Sequence, residues 1–245
     1  MDRPIFRPIV DLAAAADPVP ISRLTGEGSV LVLAPHPDDE SLGCGGAIAA
    51  AAEAGHRVNV VVVTDGSQSH PGSRAYPRAA LANLRRAEVA QAVSILTAGV
   101  STPIMLNYPD QGAPNDANAH AAIASHLAPI LEEVTAIWAC WEGDPHPDHQ
   151  RSWTIACALS AQIPQSRLLA FAVWGRVQGD ASPDTGATIL RFETRRWRHL
   201  KARAIAAHRS QMTGLIDDDP DGFMMPPALA RHFLETDEIF LDLTP

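Results

Sequence analysis

Val30-Leu31-Val32-Leu33-Ala34-Pro35-His36-Pro37-Asp38-Asp39-Glu40 joins an unbroken apolar run to a turn crowded with an imidazole and three carboxyl groups. Such a run reads as a strand buried on both faces. The small residues after it, Ser41 to Ala54, read as a helix stopped by Gly55. Val58 to Thr64 is a second buried strand, so the three elements form a right-handed βαβ unit. His36 then lies at the carboxyl end of the first strand, where open α/β sheets bind their ligands.

The same layout returns downstream. Thr135 to Cys140 is a strand, Asp144-Pro145-His146-Pro147-Asp148-His149 is a short polar loop, and Gln150 to Ala161 is a helix. Between the two runs lie a helix over Arg78 to Leu96, a strand over Ile104 to Tyr108 and a helix over Ala119 to Glu133. After them come strands over Leu168 to Trp174 and Ala187 to Phe192, read as a hairpin across loop 175–186. A long basic helix (Arg195 to Met212), a short helix (Ala228 to Leu234) and a last edge strand (Glu238 to Leu243) follow. The expected fold is a single α/β domain over residues 1–245: a Rossmann-like, doubly wound, mainly parallel sheet flanked by helices, with residues 1–27 as an N-terminal arm.

Composition narrows the partners. A net charge of −9 leaves no basic footprint for nucleic acid and disfavours an anionic membrane surface. No stretch approaches a membrane span. Three scattered cysteines, Cys44, Cys140 and Cys157, read as reduced thiols, and with no secretory signal evident the expected location is the cytoplasm. The partner expected is a small molecule; a homo-oligomer is left open.

The two runs carry the chemistry. His36 and Asp39 stand three apart on a turn stiffened by Pro37. Adjacent side chains do not easily share one ion, so the economical assignment gives Asp39 to a metal and leaves Asp38 facing a bound water. His146 and His149 are also three apart at a helix start and share a face. One of them completes the ligand set and the other stays free for substrate; spacing alone leaves open which. Two histidines, one carboxylate and a water make a catalytic zinc pattern, in which the water's pKa falls to about 7. Asp38 then serves as general base. Helix capping alone accounts for the acids, but not for histidines beside them at two strand ends.

Pro35-His36-Pro37-Asp38-Asp39-Glu40 together with His146-Pro147-Asp148-His149 resembles the PIG-L/LmbE-like family of zinc-dependent deacetylases, which remove N-acetyl groups from glucosamine-type conjugates. Thr64-Asp65-Gly66, Arg85-Arg86-Ala87-Glu88, Leu106 to Asp110, and Lys201 with Ala204 and His208-Arg209-Ser210-Gln211 are similar to further segments of that family. The chain departs from it at Leu96 to Val100, where a shorter turn is usual. The resemblance implies zinc ligands at His36, Asp39 and His149, a base at Asp38, and an oxyanion or acid role at His146. It implies substrate contacts at Arg85 and Asp110 and a substrate or supporting role at His208. Trp141, just before the second run, is a candidate to stack on a sugar face.

Other features carry blander readings. Gly43, Gly45 and Gly46 lack P-loop spacing and read as close helix packing. Asp217 to Gly222 reads as a solvated turn, and the Arg195 to Arg203 cluster as a solvated or ion-paired face. The expected function is hydrolysis of an N-acyl amide, most naturally an N-acetyl group on an amino sugar or sugar conjugate, with one Zn²⁺ or another divalent ion such as Fe²⁺. Two alternatives share parts of the residue set: a non-haem Fe(II) enzyme, and a non-catalytic sugar- or nucleotide-binding module.

Overall fold

The computed structural model describes residues 8–177 and 187–243. One seven-stranded sheet runs in the order β3-β2-β1-β4-β5-β7-β6. Its first five strands are parallel: β1 (Ser29–Ala34), β2 (Val58–Thr64), β3 (Ile104–Tyr108), β4 (Val134–Cys140) and β5 (Arg167–Phe171). β1 and β2 are buried along their whole length, as expected for strands covered on both faces. The chain first winds outward through β2 and β3, then returns to place β4 on the other side of β1. β1 and β4 therefore flank the point where the winding reverses, and the two histidine runs leave neighbouring strand ends.

Alternate residues build the two apolar layers. Val30, Val32, Val60, Val62 and Trp138 pack with α3 (Asp39–Glu53), α4 (Arg78–Leu96) and α7 (Arg198–Ala207). Leu31, Leu33, Val61, Val63 and Ile137 pack on the opposite face with α1 (Pro8–Ala15), α5 (Ala117–Leu131) and α6 (Pro147–Ser160). The glycines of α3 do serve close packing: a Cβ on Gly43 would collide with the Phe171 ring, and one on Gly46 would lie 2.8 Å from Thr194 Cγ2.

The expected hairpin and edge strand are corrected. β7 (Glu238–Asp242) inserts between β5 and β6 (Thr188–Phe192), antiparallel to both, so β7 is internal and β6 is the edge. Burial supplies the reason: Glu238, Ile239, Phe240 and Leu241 are at most 3% exposed. Residues 178–186 of the expected loop, and 1–7 of the expected arm, lie outside the described residues. The described part of that arm is more ordered than a strap: it forms α1 and α2 (Ser22–Thr25), and Pro18 bridges to Arg191.

The long basic helix is also two helices. α7 ends at His208, whose φ of −79° and ψ of 58° break the spiral before α8 (Arg209–Met212). Its basic face is not uniformly solvated. Arg196 is exposed and paired with Glu53, but Lys201 is fully buried and lies 2.6 Å from Glu238 Oε1. Glu238 in turn accepts the Gly46 and Ala47 amide protons, which α3 frees where it kinks at Cys44. A last helix, α9 (Pro227–Glu235), precedes β7. Among the described residues no helix is long and apolar enough to cross a membrane.

Candidate active site

β1 ends at Ala34 and delivers His36 to the floor of an open cleft of about 640 Å³. Asp39 opens α3, and its Oδ2 accepts the His36 amide proton at 3.0 Å. The same oxygen lies 3.1 Å from His36 Nδ1 and 3.3 Å from His149 Nε2. His149 comes from the first turn of α6. Three candidate ligands from the ends of two strands thus meet at one carboxylate oxygen.

Supporting groups fix the outward edge of each ring. Asp144 Oδ2 lies 3.0 Å from His149 Nδ1; a carboxylate only accepts, so that nitrogen donates. Asp144 is itself held by the amides of Val173, Trp174 and Gly175. His149 Nε2 is left fully buried with no hydrogen-bond partner. On the other ring, His36 Nε2 lies 3.2 Å from Asp148 Oδ2 and 3.4 Å from Asp110 Oδ1. Carboxylates behind ligating imidazoles orient the ring and raise its basicity. An orphaned buried nitrogen facing a carboxylate oxygen is what a metal site requires of its protein, so these residues fit a divalent cation.

Nearby groups enlarge the donor set. Donor atoms of His36, His146 and His149 lie within 4.8 Å of one another, as do those of Asp39, Cys140 and His149, and of His36, Asp110 and Asp148. Cys140 ends β4 beneath the site, and burial with nearby Asp39 pushes its thiol well up, so it stays protonated.

Charges follow from this crowding. Burial would lower His149, but facing Asp39 and Asp144 carries it up to about 9. Against burial, the two imidazoles hold Asp39 well below the usual carboxylate range. Burial raises Asp38 to about 6, although Arg85, with Nη2 3.1 Å from Asp38 Oδ2, pulls the other way. His146 goes down to about 4 through burial and repulsion from the other two imidazoles. The Asp148 amide donates to its Nδ1, so the proton of the neutral ring sits on Nε2.

Asp38 is also strained. Its φ of 149° is one that L-residues rarely adopt. The turn is pinned from behind: the Asp38 amide donates to Glu40 Oε2, and Glu40 Oε1 accepts from Ser41 Oγ and His208 Nε2. Arg85 adds bonds to the carbonyls of Pro37 and Gly66.

The structure brings together most of the expected residues and separates two. His36, Asp38, Asp39, His146, Arg85 and Asp110 line the cleft, with His149 behind Asp39. His208 does not reach the cleft; it is fully buried behind Glu40. Trp141 is 3% exposed and packs in the apolar layer with α6, against the Gly143 and Gly175 backbone, so it offers no face to a sugar. Sequence reasoning left Asp144, Asp148 and Glu40 without site roles. Their signal was present, since all three stand inside the two histidine runs, but helix capping accounted for them equally well. Gln68, whose amide donates to Asp110 Oδ2, carried no signal.

Residues 31–159 match the family described as PIG-L, GlcNAc-PI de-N-acetylase. An uncharacterized deacetylase of Escherichia coli K12, YaiS, is 29% identical over 140 residues, 56% of this chain and 70% of that one. Among solved structures, N,N'-diacetylchitobiose deacetylase from Pyrococcus horikoshii superposes with a TM-score of 0.68 at 22% identity, covering 98% of this chain and 92% of that one. The 4-carboxy-2-hydroxymuconate hydratase GalB of Pseudomonas putida KT2440 gives 0.65 at 20% identity, covering 85% and 84%. These two likenesses show the fold, which evidently hosts more than one chemistry. The family match spans more than half of the chain and contains both histidine runs, and with it the chain belongs to the PIG-L family and is a hydrolytic enzyme of the amidase/deacetylase type.

Proposed function

We propose that the protein removes an N-acetyl group from an amino sugar or sugar conjugate, acting as one deacetylase domain with a single Zn²⁺ held by His36, Asp39 and His149. The observation that carries this reading is the convergence of His36 Nδ1 and the fully buried His149 Nε2 on one oxygen, Asp39 Oδ2, in a cleft that Asp38 also lines. Zinc in such a set polarises an acyl oxygen and lowers the pKa of water.

The remaining steps belong to the chain. Asp38, raised to about 6, is ionised at neutral pH yet basic enough to take a proton from the attacking water. Arg85 steers the Asp38 carboxylate. His146 is neutral with its proton on Nε2, so it donates a hydrogen bond to the developing oxyanion. A neutral imidazole is a weak acid, and Asp38 therefore returns the proton to the departing amine. Arg85 and Asp110 offer a donor and an acceptor for sugar hydroxyls. Three free thiols fit a cytoplasmic setting.

The test is acetate release from a panel of acetamido sugars, with zinc, with Fe²⁺ and with chelator. Zinc-dependent release that disappears in Asp38→Asn, while that variant keeps its metal, is the expected result. Release undiminished by exhaustive chelation would contradict the reading.

A further inference from the structure

Arg176 carries a charge that the proposed reaction does not use, and the fold buries it at a cost. It ends a single 3-10 turn (Trp174–Arg176) just past β5 and is 1% exposed. Burial lowers its pKa to about 10, against the pull of Glu238, Asp237 and Asp144, so it stays charged at neutral pH. Yet among the described residues no carboxylate pairs with it directly: Asp237 is taken by Arg191 and Glu238 by Lys201. Its Nε and Nη1 have no hydrogen-bond partner. Nη2 alone is engaged, donating to Thr236 Oγ1 and to the Asp237 carbonyl, while the guanidinium lies 5.5 Å over the Phe233 ring. An apolar side chain of similar length would fill this space without leaving donors unpaired. What the guanidinium adds is a fixed tie between the turn and the junction of α9 with β7.

That turn holds the carboxylate that orients His149. Past Phe171 the chain leaves the strand direction, with φ −109° and ψ −83° at Val173. Three successive amides then face Asp144: Val173 and Trp174 donate to Oδ2, each at 3.1 Å, and Gly175 donates to Oδ1 at 2.6 Å. Successive amides curled around one anion form a nest. Gly175 is needed there, because a Cβ would lie 2.6 Å from Asp144 Oδ1. Within the turn the Arg176 amide donates to Val173 O at 3.3 Å, and one short turn of this kind has little stability of its own. Arg176 does not line the cleft. Its route to His149 runs through the turn amides and then through Asp144 Oδ2, 3.0 Å from His149 Nδ1.

We propose that Arg176 is a positioning residue for the divalent cation: it clamps the turn whose amides fix Asp144, and Asp144 fixes the His149 ring that presents Nε2. The inference rests on the ligand set proposed above, His36, Asp39 and His149. It ties metal affinity to a contact made beside β7, beyond β5 in the sheet from the strand that leads to His149.

The test is a cycle of zinc affinities, measured by competition with a chromogenic chelator, on wild type, Arg176→Met, Asp144→Ala and the double variant. Arg176→Met is expected to weaken zinc binding about tenfold and Asp144→Ala about 10- to 100-fold. The double variant should bind no more weakly than Asp144→Ala, because without the carboxylate the turn has nothing to convey. A general loosening of the fold would instead lower affinity again in the Asp144→Ala background. Arg176→Lys keeps the charge but reaches one acceptor rather than two, so it should show a smaller loss of affinity with a metal-free Tm near that of wild type. Should Arg176→Met fail to fold, Arg176→Lys takes its place in the cycle. Unchanged zinc affinity in the Arg176 variants, losses that multiply in the double variant, or a wild type that binds no zinc would overturn the proposal. None of these measurements needs turnover, so the clamp and the deacetylase reading fail separately, the latter through acetate release.

Discussion

Asp144 Oδ2 sits 3.0 Å from His149 Nδ1, and this contact determines which nitrogen of His149 is presented to the cleft. Asp144→Asn keeps a similar shape but no longer enforces the donor state of Nδ1. Metal affinity is expected to fall about 10- to 100-fold, measured by competition with a chromogenic chelator. Asp144→Ala also strips the amides of Val173, Trp174 and Gly175 of their acceptor, so it should lower Tm as well.

Asp38, the proposed base, is costly to the fold. Its carboxyl binds a proton more tightly in the folded chain, with a value of about 6, than an ordinary aspartate near 4. The folded state is therefore penalised fully above pH 6, less as pH falls, and not at all below about pH 4. With chelator present, Asp38→Asn should have a higher Tm than wild type at pH 7.5 and the same Tm at pH 4. Against zinc-loaded wild type, Asp38→Asn should lose at least about 10²-fold in turnover.

On the proposed mechanism Glu40 and His208 act through Asp38 as positioning residues. The Asp38 amide donates to Glu40 Oε2, and His208 Nε2 secures Glu40 Oε1 at 3.0 Å. His208→Ala should reduce kcat with KM and metal stoichiometry unchanged, because the strained Asp38 backbone relaxes. His208→Gln, which can still donate to Glu40, should restore much of the rate. Equal losses in both variants would assign His208 to packing alone.

Lys201 and Glu238 form a fully buried ion pair at 2.6 Å. Lys201→Met leaves the Glu238 carboxylate buried with only the Gly46 and Ala47 amides as hydrogen-bond donors and the Arg176 charge nearby. The expected loss is about 3–5 kcal/mol in urea unfolding, with part of it recovered by adding Glu238→Gln.

The sheet and the meeting of the two histidine runs were legible because both are written locally. Buried parallel strands leave unbroken apolar runs, and β2, α4 and β3 match their expected limits residue for residue. His36, Asp38, Asp39, His146 and His149 stand in two short segments whose strands proved to be neighbours. What escaped depends on distant contacts. β7 reads as an edge because it comes last, and only the insertion between β5 and β6 makes it internal. The helix expected over Arg195 to Met212 has no proline or glycine to stop it; it breaks where His208 turns inward to Glu40, a residue 168 positions away. Trp141 sits one residue beyond β4, and the odd–even alternation that sends Trp138 into one apolar layer sends Trp141 into the other rather than into the cleft. The expected solvated turn is a fastening: Asp218 and Asp219 clasp residues 72–75, a contact that left no pattern in either segment alone.

Anomalous diffraction at the zinc edge from zinc-loaded crystals tests the central assignment most directly. The account predicts one strong peak about 2.0–2.2 Å from a nitrogen of His36, a carboxylate oxygen of Asp39 and Nε2 of His149, with His146 outside the coordination shell. A peak bound through His146 in place of His149, or no peak at this corner of the cleft in an active enzyme, would contradict it.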